Sequence, residues 1–154
     1  LCRIALDKLK KTYEQDIQEK NIRIIFDNLT LSLMMEVNVE QFSKVLAGIL
    51  KNSMYALLKK SETVTFSPEI FLGLKVNKDM LEITIRDNGS GIDENIKDKI
   101  FAPFFTTKTT GEAAGVGLYL CREIVQNHRG TIEVESKKGE YTQFLITIPV
   151  CMVT

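Results

Sequence analysis

The sequence has 154 residues, 44% hydrophobic and 26% charged, with Lys+Arg and Asp+Glu both numbering 20. That length suits one domain with a real core, and a formal net charge of zero argues against gripping nucleic acid or an anionic membrane through bulk charge. No apolar run approaches the roughly 20 residues a bilayer span needs, no signal peptide is recognisable, and the scattered Cys2, Cys121 and Cys151 fit neither a disulfide framework nor a zinc site but suit a reducing cytosol.

Cys2, Leu6, Leu9, Tyr13 and Ile17 recur at spacings of three and four, which predicts an amphipathic helix ending near Lys20. The chain opens on Leu1 rather than Met, within this helical pattern, and reads as a piece of a longer protein. "IRIIF" and "LMMEV" are short strand candidates. Asn38 can cap a second helix, with Gln41 in a capping-box-like position; it carries Phe42, Val45, Leu46, Ile49, Ser53, Ala56 and Leu57 inward and runs to about Lys60. "SETVTFSP" reads as a loop, and "EIFLGLKV" and "MLEITIRD" alternate around "NKD" as an antiparallel hairpin. Residues 93–101 suit a short helix. "TTKTTGEAAG" lacks periodicity and reads as a mobile loop; "GVGLYLCREIVQNHRG" then opens with glycines, continues as a helix and stops at Gly130. "TIEVES" and "YTQFLITIP" close the chain as strands. The order predicts an α/β two-layer sandwich, a mixed, mostly antiparallel sheet covered on one face by helices.

Three inward positions break their own pattern. Leu81, Ile83 and Ile85 share a strand face whose next member is Asp87. Val45, Ile49, Asn52 and Ala56 form a helix stripe with Asn52 as its polar member, and Thr142 leads the Phe144, Ile146, Ile148 face of the last strand. A lone buried Asn or a Thr near a strand end is commonly structural. A buried carboxylate is costlier: unpaired, it costs several kcal/mol or takes up a proton. No Lys or Arg is evident on its face. It enters "DNGSGI", where Gly89 and Gly91 allow close backbone approach to a ligand. "AAGVGL" places further glycine before a helix, whose N-terminal N–H groups can seat phosphate. Neither stretch is a Walker P-loop, which needs GKS or GKT. An EF-hand from Asp87 to Asp98 fails as well, because Ile92 stands at the obligatory glycine and Asp98 where glutamate is usual.

Asn52, "DNGSGI", "IFAPFFTTK" and "AGVGL", in this order and over nearly the whole chain, resemble the ATP-binding catalytic domain of sensor histidine kinases. That family shares the Bergerat fold with type II topoisomerases, heat-shock chaperone ATPases and mismatch-repair ATPases. The resemblance implies ATP and Mg²⁺ as cofactors. Asn52 would coordinate the Mg²⁺ that bridges the phosphates. Asp87 would accept from the adenine amine, with Gly89, Gly91 and Ile92 around the purine slot. Thr107 and Lys108 of the aromatic box would lie near the nucleotide, ahead of a compact lid from Thr109 to Ala114. Gly115, Val116, Gly117 and Leu118 match the second glycine box, whose backbone amides would meet phosphate. Thr142 matches a strand threonine that helps hold the aspartate and a water. No catalytic side chain is assigned within this chain.

The sequence also departs from the family pattern. Ala113-Ala114-Gly115 replaces the usual Gly-Thr-Gly, "HRG" stands where "HGG" is common, and Gly48 occupies a position often held by Asn, or by a water-activating Glu in ATP-hydrolysing relatives. Rapid hydrolysis by that route is therefore not expected. His128, the only histidine, lacks the context of a phosphoacceptor and reads as a polar helix-end residue. The acceptor is expected upstream, on a helical dimerisation domain of a homodimeric parent that passes phosphate to a response regulator; the location expected is the cytoplasm, with membrane anchoring of the parent left open. No nucleic-acid or membrane contact is expected of this domain. An anti-sigma-factor-type serine kinase and a degenerate nucleotide-sensing module remain the alternatives.

Overall fold

The computed structural model describes residues 1–28, 33–34, 36–103 and 116–152. Its elements run α1 (Cys2–Thr12), α2 (Glu14–Glu19), β1 (Arg23–Asp27), β2 (Leu33–Met34), α3 (Val39–Ser61), β3 (Glu69–Asn77), β4 (Met80–Asp87), α4 (Val116–Asn127), β5 (Thr131–Lys137), β6 (Tyr141–Pro149) and β7 (Cys151–Met152). Five strands form a mixed sheet in the order β1-β3-β4-β6-β5. Among the described residues only β1 and β3 pair in parallel; that arrangement needs a long crossover, and α3 lies in it. The other pairings are antiparallel, and β2 with β7 makes a separate two-stranded ribbon.

The strands take their places because their side chains alternate. Along β4 the odd positions from Leu81 to Asp87 are buried, and along β6 the even positions from Thr142 to Ile148. The antiparallel register of β4 with β6 pairs Ile83 with Ile146 and Ile85 with Phe144, so both buried sets share one face. Against that face lies the apolar side of α3, where Phe42, Leu46, Ile49, Leu50, Met54 and Leu57 are essentially inaccessible. Each such side chain contributes on the order of 2 kcal/mol through burial. Helix α3 starts as its sequence suggests: the Asn38 side chain accepts from the Gln41 N–H at 3.0 Å, satisfying one of the unpaired donors of the first turn.

Three expectations need correction. The first helix is not continuous to Lys20 but breaks at Tyr13 (φ −110, ψ 25). There the Thr12 hydroxyl donates to the Lys8 carbonyl at 2.9 Å, a back-bond that bends helices. Of "LMMEV", Leu33–Met34 is strand, and Glu36 and Val37 are not. Residues 93–101 form turns with a single 3₁₀ turn at Lys97–Lys99. The Asp93 carboxylate captures the Asn95 N–H at 3.0 Å, offering the backbone an alternative to helix.

The end of α4 differs in detail. The left-handed residue that stops it is Arg129 (φ 62), not Gly130. The Arg129 N–H donates to the Gln126 carbonyl at 3.0 Å and the Gly130 N–H to the Val125 carbonyl at 2.9 Å, the paired bonds of a glycine-type stop. A Cβ in this conformation costs on the order of 1 kcal/mol. Arg129→Gly is therefore expected to stabilise the fold by about 1 kcal/mol, read as a thermal midpoint raised by roughly 2–4 °C.

Candidate functional site

Asp87 ends β4 on the core side and is 2% exposed. One cross-strand row runs through it: Ile70 on β3, Asp87 on β4, Thr142 on β6 and Ser136 on β5. Its carboxylate accepts the Gly89 N–H at 2.9 Å. Among the described residues it forms no ion pair. Burial pushes its pKa from 3.8 to about 7, against the pull of the Gly89 N–H, the Ser53 hydroxyl and the charges of Lys60 and Arg86. Those cations are engaged elsewhere. The Lys60 ammonium donates to the Asn88 carbonyl at 2.9 Å, and the Arg86 guanidinium lies 4.2 Å from the centroid of the Tyr141 ring. The carboxyl is thus desolvated with most of its bonding capacity unused.

Ser53, on α3, is 1% exposed. It lies near enough to act on Asp87, yet its Oγ has no partner at hydrogen-bonding distance and angle. Proximity without alignment is the description that accommodates both facts. A buried orphan hydroxyl is rare enough to require a reason. Asn52, one residue earlier, is half-buried, and its amide makes no hydrogen bond to a described residue. Mg²⁺ keeps several waters and takes one or two protein oxygens besides substrate phosphates; a free amide oxygen fits that role.

The loop after β4 is held tightly to protein. A Cβ on Gly89 would fall 2.6 Å from the Ala56 carbonyl carbon of α3, and the Ser90 N–H donates to the Ala56 carbonyl at 3.1 Å. Asn88 stitches the loop to the start of β3, its side chain accepting from the Glu69 N–H and donating to the Ser67 carbonyl, both at 2.8 Å. The Ile92 N–H donates to Ser136 Oγ at 2.8 Å. The loop glycines expected to admit a ligand therefore first admit α3 and the β5–β6 turn.

Asp87, Thr142 and the segment from Gly89 to Ile92 are thus brought together, with Asn52 beside Ser53 on the neighbouring helix. Val116, Gly117 and Leu118 form the first turn of α4, where a Cβ on Gly117 would meet open space and Leu118 packs against the core. Thr107, Lys108, Gly115 and the 109–114 lid lie outside the described residues. Of the aromatic box, Ile100 is buried and Phe101 meets Phe144 edge-on, 6.3 Å between centroids. Gly48 faces α4, where its Cβ would sit 3.3 Å from Cys121 Sγ; burial pushes that thiol up to about 12, which keeps it inert. His128 is structural. Its Nε2 accepts the Asn38 N–H at 2.9 Å, which makes Nδ1 the donor to the Ile124 carbonyl at 2.7 Å, joining the end of α4 to the start of α3.

Sequence reasoning passed over Ser53, Lys60 and Ser136. Ser136 carried a usable signal, because it ends the Ile132, Val134 alternation with a polar side chain just as Thr142 heads its own face.

The architecture, a mixed sheet with helices on one face, is that of histidine kinase catalytic domains. The chain belongs to the family of histidine kinase-, DNA gyrase B-, and HSP90-like ATPases, whose model matches residues 38–151. It is 35% identical over 149 residues to cyanobacterial phytochrome A of Nostoc sp., covering 95% of this chain and 18% of that protein. To sensor histidine kinase ZraS of Escherichia coli it is 29% identical over 136 residues, covering 88% of this chain and 27% of the relative. The catalytic domain of histidine kinase ThkA superposes with a TM-score of 0.75 at 27% identity, covering 96% of this chain and 91% of that domain. The chain therefore spans about a fifth to a quarter of the curated relatives it matches. No described helix is long and apolar enough to cross a membrane.

Proposed function

We propose that this chain is the ATP-binding catalytic domain of a two-component sensor histidine kinase, passing the γ-phosphate of ATP to a histidine on a separate dimerisation domain for relay to a response regulator. The observation that carries the reading is Asp87, a buried carboxyl that holds one backbone N–H, has no ion pair among the described residues, and sits beside an orphan hydroxyl. An adenine amine supplies the missing donor, and such a charge-assisted bond contributes about 1.5–3 kcal/mol. Asn52 offers its amide oxygen to Mg²⁺, which neutralises phosphate charge when bound. Catalysis by this chain is then positioning: Asp87 and Thr142 orient the base, Gly89, Gly91 and Ile92 shape its slot, and Thr107, Lys108 and the amides from Gly115 to Leu118 hold the polyphosphate. The parent is a homodimer, and this domain works in the cytoplasm and touches neither membrane nor nucleic acid.

The experiment mixes the chain with the parent's histidine-bearing helical domain, Mg²⁺ and labelled ATP. Acid-labile phosphate on that domain is the expected product. Acid-stable label on a serine, or nucleotide binding without transfer, counts against it.

A further inference from the structure

The polar row does not end at Thr142. Ser136 Oγ stands 3.1 Å from Thr142 Oγ1, 2.7 Å from the Tyr141 carbonyl and 2.8 Å from the Ile92 nitrogen. A serine hydroxyl has one proton and two lone pairs. The carbonyl accepts only, so the proton of Ser136 goes to Tyr141. Both lone pairs are then taken, one by the Ile92 N–H and one by Thr142, which becomes the donor. The hydroxyl proton of buried Thr142 is thereby turned along the row toward β5. What Thr142 has left to present is acceptor character, on the same side of the sheet as the carboxylate of Asp87, directly opposite it in register.

We infer that Ser136 is a positioning residue for base selection: it fixes the hydroxyl of Thr142 as an acceptor and anchors the loop at Ile92, so that Thr142 joins the ionised carboxylate of Asp87 in turning acceptors toward the hollow. The inference rests on the nucleotide reading given above. A 6-amino purine meets such a hollow with donors, whereas a 6-oxo purine turns an acceptor toward it. Loss of the Ser136 hydroxyl frees the Thr142 proton to rotate and donate, which relaxes the choice, and it also leaves the Ile92 N–H without its partner.

The test compares ATP with ITP by calorimetry on the unmodified chain, Ser136→Ala and Ser136→Thr. Ser136→Ala is expected to weaken ATP about five- to tenfold and to lower the ATP-over-ITP preference by a similar factor. Ser136→Thr, which keeps the hydroxyl and suits a strand, restores the preference. A merely structural serine would shift the melting temperature and leave that preference intact, and this result overturns the inference while sparing the nucleotide reading. If Ser136→Ala does not fold, the near-isosteric Ser136→Cys, a weaker acceptor, carries the same comparison with the same two outcomes. Absence of ATP binding in the unmodified chain overturns the nucleotide reading itself, and the inference with it.

Discussion

Asp87→Asn is expected to weaken adenine nucleotide binding at least about a hundredfold while making the ligand-free fold more stable at alkaline pH. The two effects have one cause. Burial has raised the folded-state pKa of Asp87 from 3.8 to about 7, so the folded chain holds a proton that the unfolded chain releases. Stability from this group is fully present below about pH 4 and is lost as pH rises through about 7, at a total cost on the order of 4 kcal/mol. Asparagine does not ionise and escapes that cost, and its amide oxygen can still accept the Gly89 N–H. Its amide nitrogen, however, faces the amine of the base as donor against donor, which forfeits the charge-assisted bond and leaves a buried group unsatisfied. Melting curves should therefore converge near pH 4 and separate by up to roughly 10 °C above pH 8. Equal ATP affinity in parent and variant would sink the assignment of the base to Asp87.

The same proton makes binding depend on pH in the opposite direction from stability. The neutral carboxyl accepts through its carbonyl oxygen alone, and only the carboxylate makes the charge-assisted bond to the amine, so a ligand favours loss of the proton wherever Asp87 is still neutral. Affinity is expected to rise with pH, by at most about tenfold per unit, up to about pH 7 and then level off. Adenosine is the better probe, because its own ionisations lie outside this range and the phosphates of ATP do not. The charged groups that act on Asp87 are Lys60 from α3 and Arg86 from its own strand. A flat adenosine profile would place the ionisation of Asp87 elsewhere.

Much of this was legible before any coordinates. Strict alternation in β4 and β6 gave both strands their faces, and the two violations of it, Asp87 and Thr142, proved to be register partners. What stayed hidden was tertiary. Nothing local announces that the Lys60 ammonium reaches across to the Asn88 carbonyl, or that Ser53, expected inward and buried, comes to lie beside Asp87. Ser136 broke the pattern of β5 as plainly as Thr142 broke that of β6, but its meaning depends on which strands pair. The failed helix at 93–101 and the broken one at Tyr13 share an explanation. In each, a short polar side chain, Asp93 or Thr12, bonds to nearby backbone, which periodicity does not register.

The loop that carries the site should also tolerate substitution poorly, and two glycines separate the reasons. Gly91 (φ +69) and Gly139 (φ +82) both lie in the left-handed region. Around Gly139 a Cβ would meet nothing within 4 Å, so Gly139→Ala faces conformational strain alone, about 1 kcal/mol. A Cβ on Gly91 would instead drive into the carbonyl of Lys137 and come within 2.8 Å of Lys138 Cα. Backbone cannot swing aside as a side-chain tip can. The β5–β6 turn is moreover tied to this loop, the Gly139 N–H donating to the Ser90 carbonyl at 2.6 Å. Gly91→Ala is therefore expected to cost about 3–5 kcal/mol, to separate the loop from the turn, and to break the bond from the Ile92 N–H to Ser136. Chemical denaturation of both variants checks the contrast, and adenosine binding by whatever Gly91→Ala remains folded should be lost, whereas Gly139→Ala should bind as the parent does. Equal destabilisation by the two substitutions would mean that backbone angle alone governs the loop and that its close seat against β5 is not needed to shape the site.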